Sequence, residues 1–338
     1  MDRCNAVEPG GPPVQRAILH QPDDCLPYIS QDSRERQALL EIVYPRRYNA
    51  AVMSASLPVS SISEPAVAIV GVGLIGGSIA AALRRRGYNG RIWGIGRTDS
   101  RLQAAQEAGL IDTGTTDPAA ADVSLWVFCT PVDRIVGGVR EAAARSRAGT
   151  LLTDAGSIKR TICEDLSTGL PSGVTFVGSH PLAGSEQQGF EHADAELFAG
   201  RVTVVTPDET TPPAELQRLR RFWEFLGSRV IEMPADEHDR MLARTSHLPH
   251  VVSAALAGTF ADLPADLTAG GYRDTTRIAA GDADLWASIL LGNAEAIVSG
   301  MDCYRATFVE FRQAIARGDA AALKSLLQTA KRNRDAIG

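Results

Sequence analysis

The sequence predicts an α/β fold, a doubly wound parallel sheet followed by an all-α C-terminal region. Three observations predict it. From residue 66 short aliphatic runs alternate with helix-compatible segments. The strand-like runs stop after residue 234. The segment beyond keeps apolar residues at helical spacing to the end of the chain.

Residues 1–63 stand apart. They hold many of the prolines and the Ser-rich stretch "MSASLPVSSISEP", with one helix-compatible piece, "RERQALLEIVY". The segment has no sustained pattern and is read as a poorly ordered extension. Residues 64–234 form the α/β domain. "AVAIV" is a buried strand and "LIGGSIAAALRRRG" a helix closed by Gly87. "RIWGI" is a second strand, and "RLQAAQEAG" a helix ending at Gly109. "VSLWVFC" leads into the helix "VDRIVGGVREAAARS", and "TLLTD", "VTFVGS" and "RVTVV" continue the series. Residues 235–338 form the helical domain. "DEHDRMLARTSHLPHVVSAALAGTF" suits a helix, residues 284–318 read as one long helix with Gly292 and Gly300 as weak points, and "DAAALKSLLQTAKRNRDAI" is the last. Its apolar positions exceed one buried face, which predicts burial against a partner subunit.

Composition narrows the function. The 338 residues are 44% hydrophobic and 22% charged, ordinary for a globular protein, and the net charge is −6. No basic surface calls for nucleic acid, though local arginines can still hold small anions. Cys4, Cys25, Cys129, Cys163 and Cys303 are scattered with no CxxC pair, which argues against a zinc site or a disulfide framework and fits a reducing cytoplasm. No uncharged apolar run reaches about 18 residues, so no membrane span is expected.

The first strand–helix junction carries chemistry. "AIVGVGLIGGS" places Gly71, Gly73 and Gly76 as G-x-G-x-x-G between strand and helix, with Leu74 and Ile75 in the same loop. Gly71 allows the tight turn, Gly73 a close approach to a pyrophosphate, and Gly76 close helix packing. The helix N-terminus meets the phosphates with free N–H groups. A Rossmann-type dinucleotide site is the reading, with a plain βα turn as the alternative. An acid about 20 residues on usually binds the ribose. Here "WGIGRTDS" offers Arg97 and Thr98 instead. An arginine attracts a 2′-phosphate, so NADP is favoured and NAD remains possible, with Asp99 turned inward and Arg97 solvated. Thr130 and Pro131 of "FCTPVD" follow a strand at the switch point and either line the nicotinamide side or simply start a helix.

Two later loops point into the same crevice. "TDAGSIKR" presents Ser157 at a helix start, where an N-cap is the plainer role. "TFVGSHPLAGSEQQGF" sets His180 in a bare loop among Gly178, Ser179, Pro181 and Gly184. His247 and His250 of "TSHLPH" lie one helical turn apart, and no companion acid or cysteine makes them a metal site.

Five stretches, "GVGLIGGS", "TDAGSIK", "GSHPLAGSE", "SHLPH" and "GYRDTTRIA…W", occur in order and resemble the prephenate/arogenate dehydrogenase family of tyrosine biosynthesis. "GYRDTTRIAAGD" and the arginine after the second strand are similar to the cyanobacterial-type arogenate branch. The resemblance implies oxidative decarboxylation of prephenate, arogenate or both, with hydride passing to NAD(P)+ and no metal. It implies that His180 accepts a hydrogen bond from the substrate's C4 hydroxyl and takes its proton, that Ser157 shares that contact, and that Arg277 holds a carboxylate with Asp274 nearby. It places His250 and His247 near the substrate, Trp286 over the pocket, and Ser185 and Glu186 at its mouth, where Glu186 can meet an amino group of arogenate or the other subunit. It also implies a homodimer. Many relatives carry a further regulatory domain after the helical one, and tyrosine inhibition through such a domain is not expected here. A β-hydroxyacid dehydrogenase is the rival, but its catalytic lysine has no counterpart, since residues 161–323 contain no lysine. A non-catalytic NADP-sensing protein is the other alternative.

Overall fold

The computed structural model describes residues 59–185, 187–260 and 263–337. The expectations for residues 1–58 and for Glu186 lie outside these. Within the expected extension, Val59 and Ile62 pack against the core of the α/β domain.

The main sheet is parallel and six-stranded, in the order β3-β2-β1-β4-β5-β6. Its strands are β1 Ala66–Val70, β2 Arg91–Ile95, β3 Thr113–Thr115, β4 Leu125–Phe128, β5 Leu151–Asp154 and β6 Thr175–Phe176. The order reverses between β1 and β4, which makes the crevice at their carboxyl ends the expected ligand position. β4 and β5 are buried along their whole length because helices cover both faces. The connecting helices are α1 Leu74–Arg85, α2 Asp99–Glu107, α3 Val132–Ala143 and α4 Arg160–Leu166. One core gathers Ile69, Leu83, Phe198, Phe222 and Trp223; the other gathers Trp126, Phe128, Ile135, Leu152 and Ile158.

The parallel series ends sooner than the sequence suggests. "VTFVGS" splits after β6, and β7 Gly178–Pro181 joins a second sheet with β8 Val202–Thr206 and β9 Arg229–Glu232. β7 runs antiparallel to β8, with His180 opposite Val204, and β8 pairs in parallel with β9. The cause lies at Ser179. Val177 still donates to the Leu152 carbonyl at 3.0 Å, but the next inward amide, Ser179 N–H, donates to the Asp154 carboxylate at 3.1 Å. The ladder with β5 closes on a side chain and the chain turns away. His180 therefore sits in a strand, not in a loop. Helix α5, Pro213–Phe225, joins β8 to β9.

The helical region begins with α6 Ala235–Leu242, a π-helical turn Ala243–His247, and α7 Leu248–Thr259. Pro249 has no N–H to donate and its ring would crowd the carbonyl one turn back. The wider turn just before it relieves that conflict without ending the helix. Then come α8 Gly270–Thr276, a 3₁₀ turn Arg277–Ala280, α9 Ala283–Gly292, α10 Ala294–Arg317 and α11 Ala320–Asp335. The long helix read from the sequence thus breaks at Asn293, beside Gly292, but runs unbroken through Gly300, which packs near Leu248. Ile289 and Trp286 of α9 join the core formed by α3 and β4. Among the described residues no helix is long and apolar enough to cross a membrane.

Candidate active site

The glycine loop has the shape its sequence suggests. Gly71 takes φ +94°, and a Cβ there would lie 2.8 Å from the Cys129 carbonyl oxygen. A Cβ on Gly76 would meet the Gly71 carbonyl oxygen at 2.2 Å. At Gly73, the N-cap of α1, a Cβ would meet nothing within 4 Å. Two glycines close the turn and the third leaves open space at a helix N-terminus, the cradle a pyrophosphate needs. Leu74 and Ile75 form the first turn of α1. Pro131 precedes α3, and the Thr130 hydroxyl is buried without a hydrogen-bond partner among the described residues. Such an atom needs a partner, and the methyl of the same side chain lies beside Gly71. A dinucleotide fits this site. Arg97 is exposed beyond β2, and Thr98, also exposed, is the N-cap of α2.

The loop 155–159 is pinned at both ends. Ala155 N–H donates to the Phe128 carbonyl at 2.9 Å and Gly156 N–H to the Asp154 carboxylate at 2.8 Å. Lys159 returns to form an ion pair with Asp154, both side chains fully buried. At the far end Lys159 N–H and Arg160 N–H donate to Asp239 of α6 at 2.8 and 3.0 Å. Ser157 sits in a bend within this brace, and the helix cap is Lys159, so Ser157 is not an N-cap.

His180 faces the same brace. Its Nδ1 is 2.9 Å from His238 Nε2, and His238 Nδ1 is 2.7 Å from Asp239 Oδ1. Burial first, then the charges of His238, Lys159 and His247, push the His180 pKa well below the usual 6.5. His238 is also lowered by burial, with Asp239 opposing. The following loop reaches the cofactor cradle, since a Cβ on Gly184 would lie 3.9 Å from Ile75 Cδ1. It also reaches the helical region: Gln188 Nε2 donates to Asp282, the N-cap of α9, at 2.9 Å. Ser185 is exposed and accepts from Gln187 N–H at 3.3 Å.

The π turn and α7 supply the other histidines. His247 is buried, its Nδ1 3.2 Å from Asn293 Nδ2, and burial lowers its pKa to about 4. His250 stacks on Trp286 with centroids 3.5 Å apart and planes 10° apart. Burial lowers its pKa too, and its Nδ1 has no partner among the described residues. Asp274 and Arg277 are exposed on α8 and the 3₁₀ turn, which pack on α7. The structure thus gathers His180, His247, His250 and Trp286, and leaves Asp274 and Arg277 on the surface beside them. Sequence reasoning missed His238, Asp239, Asn293 and the Lys159–Asp154 pair. Among the described residues no group of three or more His, Cys, Asp or Glu could hold a metal ion.

A glycine cradle at a sheet's reversal point, reached by the loop that follows a half-buried histidine of lowered pKa, defines a dinucleotide-dependent oxidoreductase. Comparison with known proteins says which. Residues 79–232 match the nucleotide-binding domain of prephenate dehydrogenase, and residues 234–329 match its dimerization domain. The cyclohexadienyl dehydrogenase of Zymomonas mobilis is 34% identical over 281 residues, 80% of this chain and 95% of that protein. The prephenate dehydrogenase of Bacillus subtilis is 32% identical over 80% of this chain and 76% of its own length. The crystal structure of Aquifex aeolicus prephenate dehydrogenase with hydroxyphenyl propionate and NAD+ is 31% identical, with a TM-score of 0.77 over 82% of this chain and 100% of that one. Synechocystis arogenate dehydrogenase is 32% identical, with a TM-score of 0.70 over 81% and 100%. The chain belongs to the prephenate dehydrogenase family and is an NAD(P)-dependent oxidoreductase.

Proposed function

We propose that this enzyme oxidatively decarboxylates prephenate, arogenate or both, with His180 as general base and NADP+ preferred over NAD+. The observation that carries the reading is the setting of His180: a half-buried imidazole whose pKa is held well below 6.5, on a strand that continues into a loop touching the cofactor cradle. When bound, the nicotinamide supplies the acceptor for the hydride at the substrate's C4. The chain's own side chains do the rest. His180 accepts a hydrogen bond from the C4 hydroxyl and takes its proton as the carbonyl forms, which a neutral ring can do at pH 7. Ser157, held in the 155–159 brace, shares the hydroxyl contact. Carbon dioxide then leaves C1, and aromatisation of the ring drives that loss.

Arg277 holds a substrate carboxylate with its planar fork, and Asp274 places the groups around it. His250 and Trp286 form a flat wall, and the buried His250 Nδ1, without a partner among the described residues, calls for a polar group, with His247 nearby. The family resemblance assigns Ser185 and Glu186 to the pocket entrance, and a glutamate suits the amino group of arogenate. Arg97, with no acid in the usual ribose position, favours a 2′-phosphate. The enzyme acts as a homodimer through its helical domain, away from nucleic acid and membranes, in the cytoplasm. Steady-state turnover with prephenate and arogenate, each against NADP+ and NAD+, tests this. NADP+ is expected to give the higher kcat/KM with at least one substrate. Equal or better turnover with NAD+ overturns the cofactor assignment, and no turnover of either substrate overturns the reading.

A further inference from the structure

His238 and Asp239 have no part in the reading above, yet both are almost wholly buried. Burying a histidine beside a carboxylate costs desolvation that an apolar pair would avoid. Asp239 is also fixed more firmly than packing requires. Its two oxygens accept from Lys159 N–H and Arg160 N–H, and its own carbonyl accepts from Asn293 Nδ2 at 2.8 Å. It has one further bond, to His238 Nδ1.

The hydrogen-bond inventory then fixes every proton in the chain. An ionised carboxylate can only accept, so His238 Nδ1 carries a hydrogen. A neutral His238 has its lone pair on Nε2. The 2.9 Å bond from Nε2 to His180 Nδ1 needs one hydrogen, and it must come from His180. That leaves His180 Nε2 with a lone pair and no hydrogen, the form a base requires. Reversing the tautomer would bring two lone pairs together along the chain.

We propose that Asp239 and His238 are positioning residues that hold His180 in the single tautomer with its Nε2 free to take the substrate proton. This rests on the assignment of His180 as base. The groups around the pair are Asp154, Lys159 and His247. Lys159 is ion-paired to Asp154 and opposes protonation of both rings, so the Asp239 carboxylate is the one charge hydrogen-bonded to the chain that favours it. The proton balance closes. The hydroxyl proton moves to His180 Nε2 as the O–H bond breaks and C4 becomes a carbonyl. After decarboxylation the new phenolate oxygen takes the same proton back. In between, the imidazolium keeps Nδ1–H donated to His238, two links from Asp239.

Two measurements test this. The first needs no variant: ¹⁵N NMR of histidine-labelled protein near pH 8, with His180 assigned by loss of its signals in His180→Asn. The Nδ1–H tautomer is expected at His180, and the Nε2–H tautomer there overturns the proposal. The second compares His238→Phe with His238→Gln, whose side-chain carbonyl can still accept from His180 Nδ1–H. His238→Phe is expected to lower kcat roughly ten- to a hundredfold, the loss of one charge-assisted hydrogen bond, with KM little changed. His238→Gln is expected to recover most of it. In a His180→Asn background His238→Phe is expected to add nothing. If His180→Asn loses kcat while His238→Phe keeps it, or Gln gives no rescue, the positioning role is wrong and the base stands. If His180→Asn itself keeps kcat, the base assignment fails instead. Should His238→Phe not fold, the NMR result decides.

Discussion

In the proposed reading Arg277 and His180 do different work on the substrate, and their surroundings differ. His180 is held by a hydrogen-bonded chain, whereas Arg277 stands exposed on a short turn. A carboxylate contact of that kind is made in ground and transition states alike, so its loss is read mainly in KM. Arg277→Ala is expected to raise KM roughly ten- to a hundredfold with a smaller change in kcat. Steady-state kinetics check this, and a fall in kcat at constant KM contradicts it. His180 stood out in the sequence because glycines and a proline surround it, and His247 and His250 because they lie one helical turn apart. His238 and Asp239 did not, because "DEHDR" reads as the charged first turn of an exposed helix. What makes them buried is a partner far away in the chain: Asp239 caps the loop 155–159 across about 80 positions, and no local spacing signals a pairing over that distance.

At the scale of elements, the alternation of strands and helices through β5 was plain because each unit is local and its period is clear. The split of "VTFVGS" into two sheets was not, because it depends on the Asp154 side chain replacing a backbone acceptor. The π turn was equally hidden: Pro249 announced a disturbance, and only packing decides between a break and a widened turn. Asp154 thus holds the brace at β5, and Lys159 balances its charge in a site that water does not reach. Lys159→Met leaves a buried carboxylate uncompensated, and the expected loss of stability is about 3–5 kcal/mol. Urea denaturation measures it, and a loss under about 1 kcal/mol contradicts the brace.

At the largest scale, the described residues of the helical region present an unequal surface. On α10 only Ile297, Gly300 and Ala314 are buried, while Val298, Met301, Tyr304, Phe308 and Ile315 are exposed. Leu285 and Leu291 of α9 and Leu327 of α11 are exposed too. An apolar surface of this extent suits a subunit interface. Light scattering at micromolar concentration is expected to give about twice the 36.0 kDa chain mass. Phe308→Arg is expected to shift it toward a single chain. A monomer for the unaltered protein contradicts the dimer. The sequence carried this expectation as an excess of apolar helical positions, but which of them face outward depended on where α9 breaks from α10.

The central claim is that a neutral His180 is the base, and the pH profile of kcat/KM for the unaltered enzyme and for His180→Asn tests it most directly. Burial and the neighbouring positive charges lower the His180 pKa, so the neutral ring persists as pH falls through 6.5. Activity is therefore expected to stay level through that pH and to fall only in more acidic solution, as the ring finally protonates. His180→Asn is expected to lose roughly 10²–10⁴ in kcat, the range for general acid–base catalysis, together with that acid limb. Near-normal kcat in His180→Asn, with the acid limb intact, would contradict the account.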